Sequence, residues 1–404
     1  MAGQPLISFN FAETKTLGSL VTFSRASSAT YFDSNGILKI ASSDVARFDH
    51  APVSKTSRGL LIEEQRSNLY TYSEQFENAI WGKDGTSISS NSVVAPDGNT
   101  TGDKLIENNS NAFHGIAPAG VAGLNGSYVF SYYVRAAGRS WIYAGCYNAT
   151  SKHALIDIEN MVVSTLTNAT ANISDIGNNW RRITISVTLT NAEATFPYIY
   201  MTTSGTAGFV AYQGDGTSGI DLWGAQLEAG AFVTSYIPTT STAVTRSADV
   251  ATITGANFSS WWVASQGGVS ANFRPSTVSG TRPIIQYDDG TANEIITLRG
   301  NTTNPELYIV DGGTPQAQID AGTIAANTDY RLTGWWATND CKAKLDSGAI
   351  VTDTTATIPT VTQARIGSDG TNYLNGTIAS LNYYGSFTGQ IYTRRKNKVI
   401  FSLM

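Results

Sequence analysis

The stretch "WRRITISVTLT", Trp180 to Thr190, falls into alternating apolar and polar side chains, and pieces like it recur along most of the chain. A period of two sends successive side chains to opposite faces, so each piece reads as a strand with one buried side. "YVFSYYVRA" (Tyr128 to Ala136), "SWIYAGCY" (Ser140 to Tyr147), "ALIDIE" (Ala154 to Glu159) and "PYIYMTT" (Pro197 to Thr203) belong to the same set. Gly, Asn and Ser clusters separate them, and 38 glycines supply the turns. The expected fold is all-β: two antiparallel jelly-roll β-sandwiches preceded by an extended N-terminal segment.

A chain of 404 residues exceeds what one hydrophobic core serves. Three parts are expected. Residues 1–68 hold short extended pieces, with "DSNG" at Asp33 to Gly36 as the strongest hairpin signal. Their apolar side chains, among them Phe9, Phe11, Leu20, Phe23 and Phe48, are too few for a core of their own and are expected to bury against the next domain or another copy of the chain. Residues 69–242 form the first sandwich, closed by "IDLWGAQLEAGAFVTSYIPTT". Residues 243–404 form the second, with strands such as "RPIIQYDD" and "DYRLTGWWAT" and a short C-terminal helix capped by Thr388.

Several function classes are disfavoured. A net charge of −5 with scattered basic residues lacks the footprint that binding a phosphate backbone needs, so nucleic acid is not an expected partner. No apolar run approaches the roughly 20 residues of a membrane-spanning helix, and no secretion signal is recognisable at the N-terminus. Cys146 and Cys341 lie far apart and are expected to be buried small hydrophobes. The three histidines, His50, His114 and His153, are isolated in sequence, which nominates neither a zinc site nor a Ser/His/Asp triad.

"GLLIEEQRSNL" concentrates charge in a chain that is only 14% charged. A glycosidase pair needs two carboxyls facing one sugar, about 5 to 9.5 Å apart. Adjacent residues of an extended segment face opposite ways, so Glu63 and Glu64 are expected to be structural, in local ion pairs with Arg66 or in contact with the N-terminal layer. Leu60 and Ile62 are then its buried side.

"FSRASSATYFDSNGILKIASSDVARFDH", "SRGLLIEEQRSNLYTYSEQFENAIW" and "LWGAQLEAGAFVTSYIPTTSTAVTRSADV" together resemble a module found in bacteriophage virion proteins. The middle part is similar to carbohydrate-binding modules, and "ARIGSDGTNYLNGTIASLNYYGSF" resembles the closing strands of laminin-G-like and concanavalin-A-like sandwiches. The resemblance implies a virion protein of tail fibre, spike or capsid fibre type, assembled in the host cytoplasm. It would attach to other virion proteins through its N-terminal segment, form a homo-oligomer, often a trimer, and bind a host surface glycan. The alternatives are a virion component that binds no glycan and, last, a polysaccharide depolymerase. No enzyme activity is expected.

Sugars stack their C–H faces on aromatic rings and take directed hydrogen bonds from Asn, Asp and Gln. Trp180, Trp223 and Trp335 fall on inward positions. In the adjacent pairs Trp261/Trp262, Trp335/Trp336 and Tyr383/Tyr384 one member is expected outside. Trp261, Trp262, Trp336, Tyr383, Tyr373 and Asn372 are the glycan-binding candidates. No obligatory cofactor is expected. Oxygen-rich turns at Asp215, Asp288 and Asp289, with Asp221 near the first, are candidate Ca2+ ligands.

Overall fold

The structure is a computed structural model that describes residues 4–190 and 194–386. It is nearly all β, with 54% strand and 2% helix. The C-terminal helix expected around Thr388 lies outside the described residues. The chain separates into two compact units: Phe23–Val250, and the residues up to Thr22 together with those from Ala251 onward.

The Phe23–Val250 unit is a sandwich of two six-stranded antiparallel sheets. One runs in the order Ala169–Gly177, Trp180–Leu189, Gly126–Ala137, Gly219–Ala229, Gly102–Glu107, Thr86–Val93. The other runs Val162–Thr167, Thr150–Asp157, Trp141–Asn148, Phe196–Thr202, His114–Pro118, Trp81–Asp84. Alternation along these strands sends Phe130, Tyr132, Val134, Ile183 and Ile185 from the first sheet against Ile142, Ala144, Ile156, Ile199 and Met201 from the second. Cys146 belongs to the same core, as expected. Trp180 and Trp223 are buried in a second cluster with Tyr133 and Tyr236.

Much of the N-terminal stretch belongs to this unit. Ala29–Phe32 and Leu38–Ala41 pair as the hairpin that "DSNG" announces. Asp33 Oδ1 accepts from the amides of Asn35 and Ile37, and Gly36 takes a φ of 74° with the Pro52 carbonyl packed where a Cβ would sit. Leu38 is buried beside Trp180 and Trp223. Phe11 is buried in the chain as well, whereas Phe9, Leu20, Phe23 and Phe48 are half-buried and Ile40 is exposed. The compact units divide after Thr22 and after Val250, whereas the sequence reading divided the chain after residues 68 and 242.

The other unit is also a sandwich. One sheet holds, in order, Val250–Thr254, Gln363–Ile366, Thr281–Asp288, Ile295–Asn301, Asn304–Asp311 and Thr314–Asp320. The facing sheet holds Val351–Asp353, Cys341–Leu345, Tyr330–Ala337, Gln266–Pro275 and Gly376–Tyr384, with Ile7–Phe9 added on Gly376–Tyr384. Ile285, Ile296, Leu298, Leu307, Leu332, Ile378 and the thiol-bearing Cys341 are buried in this unit.

Candidate functional site

The charged stretch at Glu63 is structural, and deeply so. Glu63 is buried and its carboxylate accepts from Arg47 Nη1 at 2.7 Å, Arg246 Nη1 at 2.8 Å, the Ser235 hydroxyl at 2.6 Å and the Ser235 amide at 2.8 Å. Asp249 completes the network, accepting from Arg25 Nη1 at 3.0 Å, Arg47 Nη2 at 2.5 Å and the Glu63 amide at 2.9 Å. Burial alone would raise the Glu63 carboxyl; the guanidinium groups of Arg246 and Arg47 and the Ser235 bonds outweigh it and hold the pKa down at about 2. Glu64 points away and pairs with Arg66 at 2.5 Å. Both expected contacts of this stretch are therefore present: a local ion pair, and a tie to the N-terminal layer.

Most of the nominated aromatics are core. Trp336, Tyr383 and Trp261 are 1%, 3% and 9% exposed, which corrects their nomination: a sugar cannot stack on a ring with no open face. They form one cluster with Phe258, Tyr287 and the half-buried Trp262. Trp335 is buried as well as Trp336, so that pair puts neither ring outside. Tyr287 Oη and Trp336 Nε1 have no hydrogen-bond partner among the described residues. Asn372 is exposed and Tyr373 half-buried on the turn after Ser368. The Asn372 amide groups bond to Asp369, which fixes them in the turn.

The nominated carboxylates are also engaged. Asp288 is buried, and its two oxygens accept from Gln286, Gln363, Arg365 and the Gly290 amide. Asp289 caps its own turn through the Thr291 amide and hydroxyl. Asp215 accepts from the amides and hydroxyls of Thr217 and Ser218, which hold its carboxyl well below the usual range. Among the described residues no three His, Cys, Asp or Glu side chains converge as a metal site. Asp289 and Asp215 thus serve their own turns, and Asp288 is tied to Gln and Arg side chains inside its unit.

What the fold does assemble is an aromatic surface on the Phe23–Val250 unit. Since Ile142, Ala144, Cys146, Ile199 and Met201 face the core, the intervening Trp141, Tyr143, Gly145, Tyr147, Phe196, Tyr198 and Tyr200 share the outer face of the second sheet. Register brings them together: Tyr143 lies opposite Tyr200, Gly145 opposite Tyr198, and Tyr147 opposite Phe196. On the next strand His153 lies opposite Gly145 and Ser151 opposite Tyr147.

The tyrosine rings lean across the sheet in a fixed arrangement. Tyr143 and Tyr198 are parallel within 7° at 5.6 Å. Ser151 Oγ is the polar hub, 3.1 Å from Tyr198 Oη and 3.0 Å from His153 Nδ1, and His153 Nδ1 is 2.9 Å from Tyr143 Oη. Tyr198 reaches Ser151 across the strand that carries Gly145, a position with no side chain to lift the ring off the sheet. In the opposite direction Tyr200 lies over Gly115 and donates to Asp84. Phe209 packs edge-on against Tyr200 at 4.8 Å and stacks on Phe113 at 4.3 Å. Phe209, Phe113, Tyr147 and Phe196 are each 40% to 49% exposed, around the half-buried Tyr198, Trp141 and His153. Burial lowers the His153 pKa and raises those of Tyr198 and Tyr200, so the rings present neutral hydroxyls and a neutral imidazole near neutral pH.

Such a surface can stack flat apolar faces and exchange hydrogen bonds at its hydroxyls. The sequence reading passed over it, although a signal was present: aromatics at every second position of "SWIYAGCY" and at Phe196, Tyr198 and Tyr200 mark one face of two strands.

No protein-family model and no curated protein matches this chain. Solved structures similar to it include the mouse laminin alpha1 chain, domains LG4-5, at 10% identity and a TM-score of 0.24, covering 68% of this chain and 85% of that one. The Trypanosoma rangeli sialidase in complex with the inhibitor DANA is 10% identical with a TM-score of 0.26. A mutant of that sialidase displaying trans-sialidase activity is 9% identical at 0.25. Each covers 70% of this chain, and the chain spans 58% of each sialidase.

Proposed function

We propose that this protein is a glycan-binding adhesion protein, with the outer aromatic sheet face of the Phe23–Val250 unit as its binding surface. The observation that carries the reading is Tyr198: a half-buried ring held across the sheet by the Ser151 hydroxyl, parallel to Tyr143 and flanked by the exposed Tyr147 and Phe209. Open aromatic surface of this extent, studded with hydroxyls, is unusual on a protein exterior and fits a ligand with both apolar faces and polar edges. The role is binding rather than bond cleavage. Its setting on a bacteriophage particle rests on the N-terminal and exit strings alone, as does assembly into oligomers. In that setting weak sites repeated on one particle reach useful strength through avidity.

The test is a screen of the purified protein against host envelope polysaccharides and a glycan array, with reducing-end analysis of every polymer held. Binding that Tyr198→Ala reduces at least tenfold, with no new chain ends, supports the reading. New reducing ends would replace it with a depolymerase. No binding even in multivalent display would make the protein a structural component.

A further inference from the structure

The charges around the aromatic face decide which glycans it accepts, an inference that rests on the binding role proposed above. The strands and loops that build this face carry few ionisable groups. From Trp141 to Asp157 they are Lys152, His153 and Asp157; the segments 112–118, 162–167 and 196–210 add only His114, the turn 158–161 adds the exposed Glu159, and the strand Trp81–Asp84 adds Lys83 and Asp84. Lys83 spends its ammonium on the Glu77 and Asn78 carbonyls. Lys152 lies opposite Cys146, on the core-facing register, and its ammonium is spent on the Asn148 carbonyl and the Thr150 hydroxyl. His114 is buried, with both ring nitrogens at backbone carbonyls. Asp157 is buried beside Trp141 and caps the turn at Glu159 and Asn160.

Two acids stay exposed, Glu159 in the turn beyond Trp141 and Asp84, and only Asp84 is held against the rings. Asp84 is exposed, pairs with no Lys or Arg among the described residues, and uses only Oδ2, for the Tyr200 hydroxyl. Its Oδ1 has no hydrogen-bond partner there. Tyr200 fixes this carboxylate at the border of the ring cluster, since the ring crosses Gly115 to reach it.

The geometry points to a face that selects glycans bearing an amine and rejects acidic ones, with Asp84 Oδ1 as the acceptor for the ammonium of a hexosamine stacked on the neighbouring rings. A polyuronate or sialylated chain would meet an unpaired carboxylate and no cation in compensation. An amino sugar gains a charge-assisted hydrogen bond, together with the attraction of its ammonium to the exposed Phe209 ring that packs on Tyr200.

Affinity of the full chain is to be measured, at low and physiological salt, for chitosan oligosaccharides, cello-oligosaccharides, polygalacturonate and polysialic acid. The expected order places the amine-bearing chain about three- to fivefold above the hydroxyl-only chain, and both at least tenfold above the acids. Asp84→Asn should bring the amine-bearing chain down to the level of the hydroxyl-only one. Asp84→Lys, checked for an unaltered melting temperature, should raise binding of polygalacturonate. Acidic chains bound as well as neutral ones, or an amine preference that survives Asp84→Asn, would overturn the charge selection while leaving the face a glycan site. Loss of all binding would instead remove the reading beneath it.

Discussion

Glu63 shows how much one side chain can hold. Its carboxylate joins Arg47 from the N-terminal layer to Ser235 and Arg246 from the exit of the sandwich. Truncating one partner of such a group strands the others without compensation, so Glu63→Gln should cost about 3 to 5 kcal/mol in chemical denaturation. The pH dependence has a definite sign. The folded pKa of about 2 lies below the ordinary 4.5, so the contribution is complete above pH 4.5 and is lost as pH falls toward 2. It amounts to about 3 kcal/mol, and Glu63→Gln should flatten that limb of the stability curve. Asp103 acts in the opposite direction: burial raises its pKa to about 6, so its deprotonation costs stability as pH rises from 3.8 through 6. Tyr287 offers a converse case. Its hydroxyl is buried without a partner among the described residues, and Tyr287→Phe should stabilise the protein by about 1 kcal/mol, read as a raised melting temperature.

At the scale of strands, alternation proved the dependable signal. "SWIYAGCY" and "PYIYMTT" were legible as strands, and their pairing follows in the structure from Trp141↔Thr202 to Tyr147↔Phe196. Glycines then shape the face that these strands expose. At Gly115 a Cβ would collide with the Tyr200 ring and the Ile199 carbonyl. Gly115→Ala should therefore cost about 1 to 3 kcal/mol and shift Tyr200 away from Asp84, seen as a lowered melting temperature together with a loss of amine preference. The doublets misled for two reasons. Trp261 and Trp262 follow the helix Ala256–Ser259 in a turn rather than a strand, so opposite-facing neighbours do not apply to them, whereas Trp335 and Trp336 do share a strand and are both buried.

For the whole molecule, the unit boundary changes what a truncation does. Removing residues 1–68 deletes Arg25, Arg47 and Glu63 and leaves Asp249 and Arg246 buried without those partners. Such a chain should fail to fold its first sandwich, visible as lost near-ultraviolet circular dichroism. A chain of Phe23–Val250 keeps the entire network and both six-stranded sheets and should unfold cooperatively. The sequence by itself determined the all-β class, the strands, the "DSNG" hairpin and the structural nature of Glu63 and Glu64, because period-two patterning, turn chemistry and opposite-facing neighbours are local properties of the chain. Only the tertiary structure decided which aromatics are open, which carboxylates are already satisfied, and that Arg25 and Arg47 meet Asp249. Those outcomes depend on register and on contacts between residues up to 224 positions apart, and no local pattern encodes them.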